Sequence, residues 1–123
     1  MGQDRTIQFT TGVPSWDAIK VQLARVGEPA PLRMIDGLPA FPDESPDDGW
    51  RELRVAAGGN MVTLRRTADS ITCVVWGNAD PALLAAFARV VWACAEAGGG
   101  SVVTSAATLS PAEFAQLSDI HPA

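Results

Sequence analysis

The chain has 123 residues, of which 47% are hydrophobic and 19% charged, and its 14 acidic and nine basic side chains give a net charge of −5 at pH 7. This length is typical of one domain, so we expect a single domain over residues 1–123, and the composition is too apolar for a disordered chain. The negative charge repels nucleic-acid phosphates and anionic membrane surfaces, so neither is an expected partner.

The sequence offers few residues for metal binding or catalysis. His121 is the only histidine, and Cys73 and Cys94 are too far apart in sequence for a CxxC pair. The usual zinc ligand sets and the Cys-His or Ser-His catalytic pairs are therefore disfavoured. We expect no catalytic residue, metal or cofactor, and two buried, reduced thiols in a cytoplasmic protein.

The predicted elements begin with a strand and a helix. Residues 6–10 (TIQFT) alternate apolar and polar side chains, which is typical of a half-buried strand. Ser15 is the predicted N-cap of a first helix, because apolar residues recur at helical spacing from Trp16 to Val26 and Gly27 ends the run.

The middle of the chain predicts mainly strands. Asp36-Gly37 between short apolar segments indicates a hairpin, although Pro39 weakens its second arm. Residues 42–49 (PDESPDDG) form an exposed acidic loop whose spacing does not match a calcium-binding loop. After this loop, apolar and polar side chains alternate in three runs that end with ITCVVW at 71–76, which predicts an antiparallel meander.

The stretch WGNADP (residues 76–81) connects the last meander strand to a second helix. Phosphate-binding turns offer an anion several glycines and free N–H groups, whereas Asp80 brings a negative charge to the N-cap position and Pro81 has no N–H. We therefore interpret the stretch as a structural cap, with a ligand contact from Asn78 or Asp80 as the alternative.

The second helix runs from Pro81 to about Ala97 and ends at three glycines, and SVVT at 101–104 predicts a last strand. Ser110 and Glu113 have the spacing of a capping box at the start of a short third helix. The fold prediction is α+β: a mostly antiparallel sheet of four to six strands, two main helices on one face, ferredoxin-like in outline, plus a short C-terminal helix.

This fold leaves two apolar surfaces without a partner. Val74 and Trp76 project from the sheet face opposite the core, and Trp92 falls on the side of the second helix away from its main apolar stripe. A large aromatic side chain in such a place is typical of an interface anchor, unless residues 105–120 fold back over it. The interface candidates are Trp92, Arg89, Glu96, Val74 and Trp76.

The alternative to an interface is a ligand pocket between the meander and residues 32–49. Three arginines, Arg51, Arg54 and Arg65, flank the meander strands. In such a pocket their positive charges would bind an anionic ligand. Asn78 is a further candidate for a ligand contact.

Glu52 stands beside two of these arginines, but no second carboxylate or nucleophile stands at a recognisable spacing from it, so no acid-base pair is predicted. The leading hypothesis is a small, acidic, non-catalytic cytoplasmic protein that acts by protein-protein interaction, with its own copy or a separate partner. The alternative is a small-molecule-binding or enzymatic α+β domain with the arginine-lined pocket.

Overall fold

The architecture is α+β, with one antiparallel sheet and three helices in the described part of the chain. The computed structural model describes residues 3–77 and 80–123. In chain order the elements are β1 (Gln3–Gln8), α1 (Trp16–Arg25), β2 (Leu32–Ile35), β3 (Leu38–Pro39), β4 (Glu52–Ala57), β5 (Asn60–Arg66), β6 (Ser70–Val75), α2 (Pro81–Gly98), β7 (Ser101–Val103), β8 (Thr108–Leu109) and α3 (Pro111–Leu117).

The eight described strands lie in the order β3-β2-β4-β5-β6-β1-β7-β8. The expectation of four to six strands is wrong, because the sheet includes two two-residue edge strands. β3 is the hairpin arm that Pro39 weakens, and β8 has no alternating pattern long enough to predict it. The predicted meander is confirmed as β4, β5 and β6, which pair in consecutive order. Both edges of the sheet consist of very short strands, an arrangement that discourages pairing with another chain.

β1 lies earlier in the chain than the alternation at residues 6–10 predicts. It spans Gln3–Gln8, so Phe9 has left the strand and packs in the core. The glycines after α2 make room for it: a Cβ on Gly98 or Gly100 would lie 2.6 or 2.7 Å from the Phe9 ring. Gly99, with φ 61°, ends the helix, so the triple glycine both terminates α2 and accommodates Phe9.

Each helix begins at the capping residue that the sequence predicts. Ser15 Oγ accepts a hydrogen bond from the third amide of α1 at 3.2 Å, and Asp80 Oδ1 accepts one from the amide of Leu83 at 2.8 Å. Ser110 and Glu113 form the reciprocal capping box at the start of α3. Each cap satisfies an N–H group that has no partner inside its helix.

The predicted hairpin at Asp36-Gly37 joins β2 to β3. The two residues have φ values of 49° and 83°, as both central positions of a type I′ turn require. Asp36 Oδ1 also accepts hydrogen bonds from the amides of Arg51 at 2.7 Å and Glu52 at 2.9 Å. The N–H groups of Glu52 and Arg51 hold the pKa of the Asp36 carboxyl below its usual value, so this carboxylate ties the hairpin to the start of β4.

The helices lie on one side of the sheet, with α2 at the centre of the core. Nine of its 18 residues are buried, and it contacts α1, α3 and strands β1, β4, β5, β6 and β7. By length and composition α2 is apolar enough to cross a membrane, and half of it is buried inside this fold, as in a core helix. The inward side chains of the sheet and of all three helices form one hydrophobic cluster.

Candidate functional site

The face of the sheet that points away from the helices brings several of the candidate residues together. Strand register arranges its side chains in two rows across the central strands. The first row consists of Arg54, Thr63, Val74 and Asp4, and the second consists of Glu52, Arg65, Thr72, Thr6 and Val103. We call these two rows, together with Met61 and Trp76, the open face.

A cluster of charged and aromatic side chains lies on the open face. The carboxylate of Glu52 is 3.1 Å from Arg65 Nε and 3.8 Å from Arg54 Nε. Glu52 and Arg65 are direct partners across β4 and β5, so the strand register itself sets this ion pair. The Arg65 guanidinium also lies 5.5 Å from the centroid of the Trp76 ring, within range of a cation–π interaction. Strand register therefore brings two of the ligand candidates, Arg54 and Arg65, to the same surface as the interface candidate Trp76.

Thr63 and Val74 are buried although they belong to the open face. Their row lies between the row that contains Arg65 and the position of Trp76. The side chains of Arg65 and Trp76 therefore meet above Thr63 and Val74. In the adjoining row, the hydroxyl groups of Thr6 and Thr72 lie 3.0 Å apart and share a hydrogen bond. As predicted, Val74 and Trp76 project away from the core, but only Trp76 remains accessible.

Three large apolar side chains of the open face are exposed: Trp76 by 57%, Met61 by 39% and Val103 by 37%. The sequence interpretation missed Met61 and Val103. Each alternates with a core residue of its strand, so alternation assigns it to the outer side, but only the pairing of distant strands shows that it shares a face with Trp76. Other exposed large apolar residues lie on α1, on β3, in the loop after β3 and on α3: Val21, Leu38, Phe41 and Leu117.

Trp92 does not lie on an exposed face. Its side chain is 2% exposed, and the Arg25 guanidinium lies 5.5 Å from the centroid of its ring. A cavity of 570 Å³ beside it is lined also by Ala115 and Ile120, which belong to the same hydrophobic cluster as Trp92. Trp92 is therefore covered, which is the alternative that the sequence left open, because the end of α1, α3 and the C-terminal residues pack over this side of α2.

Arg89 and Glu96 form ion pairs within the chain. Arg89 Nε lies 2.8 Å from the buried carboxylate of Glu28, and Glu96 lies 3.6 Å from Nη1 of Arg25. Both partners lie at or just after the end of α1. These two interface candidates therefore connect α2 to α1 in the same chain.

The arginines predicted to line a pocket lie in different places. Arg54 and Arg65 are on the open face, whereas Arg51 lines an open depression of 630 Å³. The other residues that line this depression are Asp36, Gly37 and Glu52. Asn78, the remaining ligand candidate, lies outside the described residues, as does Ala79.

The structure also shows the state of the two thiols and the arrangement of the possible metal ligands in the described part of the chain. Cys73 and Cys94 are buried free thiols, as predicted, and a hydrogen bond with Cys94 together with burial raises the pKa of the Cys73 thiol well above its usual value. A protonated thiol is a poor nucleophile. Within residues 3–77 and 80–123, no group of three or more His, Cys, Asp or Glu side chains is arranged to hold a metal ion.

Comparisons with models of protein families, with curated proteins and with solved structures find no match to this chain. The open face combines ionic, aromatic and hydroxyl contacts on one surface.

Proposed function

We propose that this chain is a small, acidic, non-catalytic protein that acts by protein-protein interaction, and that the open face is its binding surface. The observation that carries the proposal is Trp76, which is 57% exposed and stacked on Arg65, on the side of the sheet away from all three described helices. Tryptophan and arginine are among the residues most enriched as anchors of protein interfaces.

The overall charge supports a protein as the partner. A net charge of −5 disfavours binding to nucleic acids and to anionic membranes, because both are negatively charged. We propose a cytoplasmic location, since the two cysteines are free thiols and reducing compartments keep thiols in that state.

We also infer that the fold is related in outline to ferredoxin-like folds. The support is the strand order β5-β6-β1-β7, with α1 following β1 and α2 connecting β6 to β7. Strands β2, β3 and β4 are inserted after α1 and widen the sheet beyond β5. This relation concerns architecture, and the proposed function does not depend on it.

The proposal can be tested by photo-crosslinking of the full chain in living cells. A photoreactive amino acid replaces Met61 on the open face, and a control variant carries it in place of Val21, which is exposed on α1. We expect a covalent adduct with a polypeptide, identified by mass spectrometry, from position 61 and not from position 21. Adding Arg65→Glu to the position 61 variant should abolish the adduct.

The outcomes are distinct because an antiparallel sheet can also leave one face in water with no partner. Equal adduct yields at positions 61 and 21, or no adduct at position 61, would contradict the proposal. An adduct at position 61 that persists with Arg65→Glu would show that the charged cluster is not part of the binding surface.

A further inference from the structure

We infer that the open face binds a second copy of this chain, so that two sheets pack face to face around a twofold axis. The inference rests on the proposed function, because it takes the open face as the binding surface and specifies its occupant. The charge balance of the face, the form of the sheet edges, and the size and anchor residues of the face support a second copy as the occupant.

The open face is balanced in charge. Its two rows contain two arginines, Arg54 and Arg65, and two carboxylates, Glu52 and Asp4, so the excess of acidic residues that gives the chain its net charge of −5 lies elsewhere. Two copies therefore repel each other less at the open face than at a surface with the net charge of the chain.

A balanced set of charges also suits a twofold interface. In such an interface the same patch of both copies is in contact. A contact between one residue of the first copy and another residue of the second therefore occurs twice. Glu52 of one copy can then face Arg54 or Arg65 of its partner, and each arginine finds the reciprocal carboxylate. A partner of strongly basic or strongly acidic chemistry would meet two like charges on this face beside the two opposite ones.

The edges of the sheet are poorly suited to pairing with another chain, so we expect association through the face of the sheet. β3, with Leu38 and Pro39, and β8, with Thr108 and Leu109, are the two outer strands. Two-residue edges, one of them with a proline that lacks an N–H, give a second chain little backbone to pair with. Two sheets can instead stack by their faces, about 10 Å apart.

The size of the open face is near that of a stable interface. The six longer strands contain 32 residues, so at about 3.3 Å per residue and about 4.8 Å between strands they cover roughly 510 Å² in projection. The accessible area of a face with side chains exceeds its projection, and each partner in a typical stable complex contributes about 800 Å². The side chains of Trp76 and Arg65 contact each other on this face, and both are of the type that anchors such interfaces.

The test is the mass of the full chain in solution, measured by sedimentation equilibrium and native mass spectrometry. The wild type is expected at twice the chain mass. Arg65→Glu and Glu52→Arg, studied separately, should each be monomeric, because each variant places like charges opposite each other in the twofold interface. The matched control is Lys20→Glu on the exposed side of α1, which makes the same charge change away from the open face and should stay dimeric.

The decisive measurement is an equimolar mixture of Arg65→Glu and Glu52→Arg. Opposite charges then face each other, so we expect a dimer with one chain of each kind, which native mass spectrometry distinguishes by mass. Circular dichroism of each variant checks that it is folded. If Glu52 and Arg65 stabilised only the fold of their own chain, mixing the two variants would not restore a dimer.

Two results overturn the inference in different ways. A wild-type chain that is monomeric at every concentration excludes the second copy, while an open-face crosslink to another polypeptide would still support the proposed function. A wild-type dimer that both charge reversals leave intact locates the dimer contact elsewhere, and the photo-crosslinking at positions 61 and 21 then decides whether the open face binds any protein.

Discussion

Asp36 occupies a turn position that most residues avoid. Its φ of 49° lies in the left-handed region, which short polar side chains tolerate better than other non-glycine residues. The amide N–H groups of Glu52 and Arg51 favour the ionised form of its carboxyl and lower its pKa. A single side chain thus sets the turn between β2 and β3 and fixes that hairpin to β4.

We expect stability to depend on pH through Asp36. Its folded-state pKa lies below the ordinary value of 3.8, so the ionised carboxylate stabilises the fold above that value, and this contribution is lost as the pH falls through the folded-state pKa. Asp36→Asn should lower the free energy of unfolding at neutral pH, and its difference from the wild type should narrow as the pH falls below 3.8 and through the folded-state pKa.

Urea unfolding of Asp36→Asn and of the wild type at each pH measures this difference, and titration of the other groups cancels in the comparison. A difference that stays constant over the whole range would show that the Asp36 charge does not contribute to stability.

At the scale of elements, α2 is enclosed on several sides. Its main apolar stripe faces the sheet, while the side with Trp92 faces the end of α1, α3 and the C-terminal residues. The pairs of Arg89 with Glu28 and of Glu96 with Arg25 join the same two helices. A helix that is apolar on more than one side is typical of a core, which explains why its second side is buried within the chain.

The start of α2 depends on Asp80. Replacing Asp80 with Ala removes the acceptor for the amide of Leu83, so we expect a loss of about 1 kcal/mol in the free energy of unfolding. Asp80→Ser keeps an acceptor and serves as the control, with stability near that of the wild type. Urea unfolding measures both, and the mass in solution should be unchanged for both. A loss of partner binding without a loss of stability would instead make Asp80 a ligand contact.

In the whole molecule, all three described helices pack in one cluster with side chains from a single face of the eight-stranded sheet. Two tryptophans mark the two sides: Trp92 is within the core, and Trp76 is exposed on the open face. Because the two side chains are of equal size, comparing their alanine variants distinguishes an effect on the free energy of unfolding from an effect on association.

We expect Trp92→Ala to lower the free energy of unfolding by roughly 3–5 kcal/mol, as for other buried aromatic truncations, and to leave any folded chain dimeric. Trp76→Ala should cost roughly 0.5–1 kcal/mol through the lost contact with Arg65 and should give monomers. Unfolding at high dilution measures the loss of stability of each variant, and sedimentation measures its mass in solution. Equal losses of stability would show that Trp76 is a core residue, and an unchanged dimer mass in Trp76→Ala would exclude it as an anchor.

The sequence by itself determined the elements whose signals are local. The caps at Ser15, Asp80 and Ser110, the hairpin at Asp36-Gly37 and the meander all depend on hydrogen bonds or alternation within a few residues. These interactions exist wherever the segment folds, so they can be predicted without knowing what packs nearby. The α+β class follows from the order of these elements.

The tertiary structure alone decided which surfaces are covered. β3 and β8 are strands only because β2 and β7 pair with them, and Trp92 is buried only because α1 and the C-terminal residues pack over it. The open face likewise depends on register: Glu52, Arg65 and Trp76 come from three strands or their ends and meet through the pairing of β4, β5 and β6. Coverage and register depend on contacts between segments distant in sequence, so no local pattern specifies them.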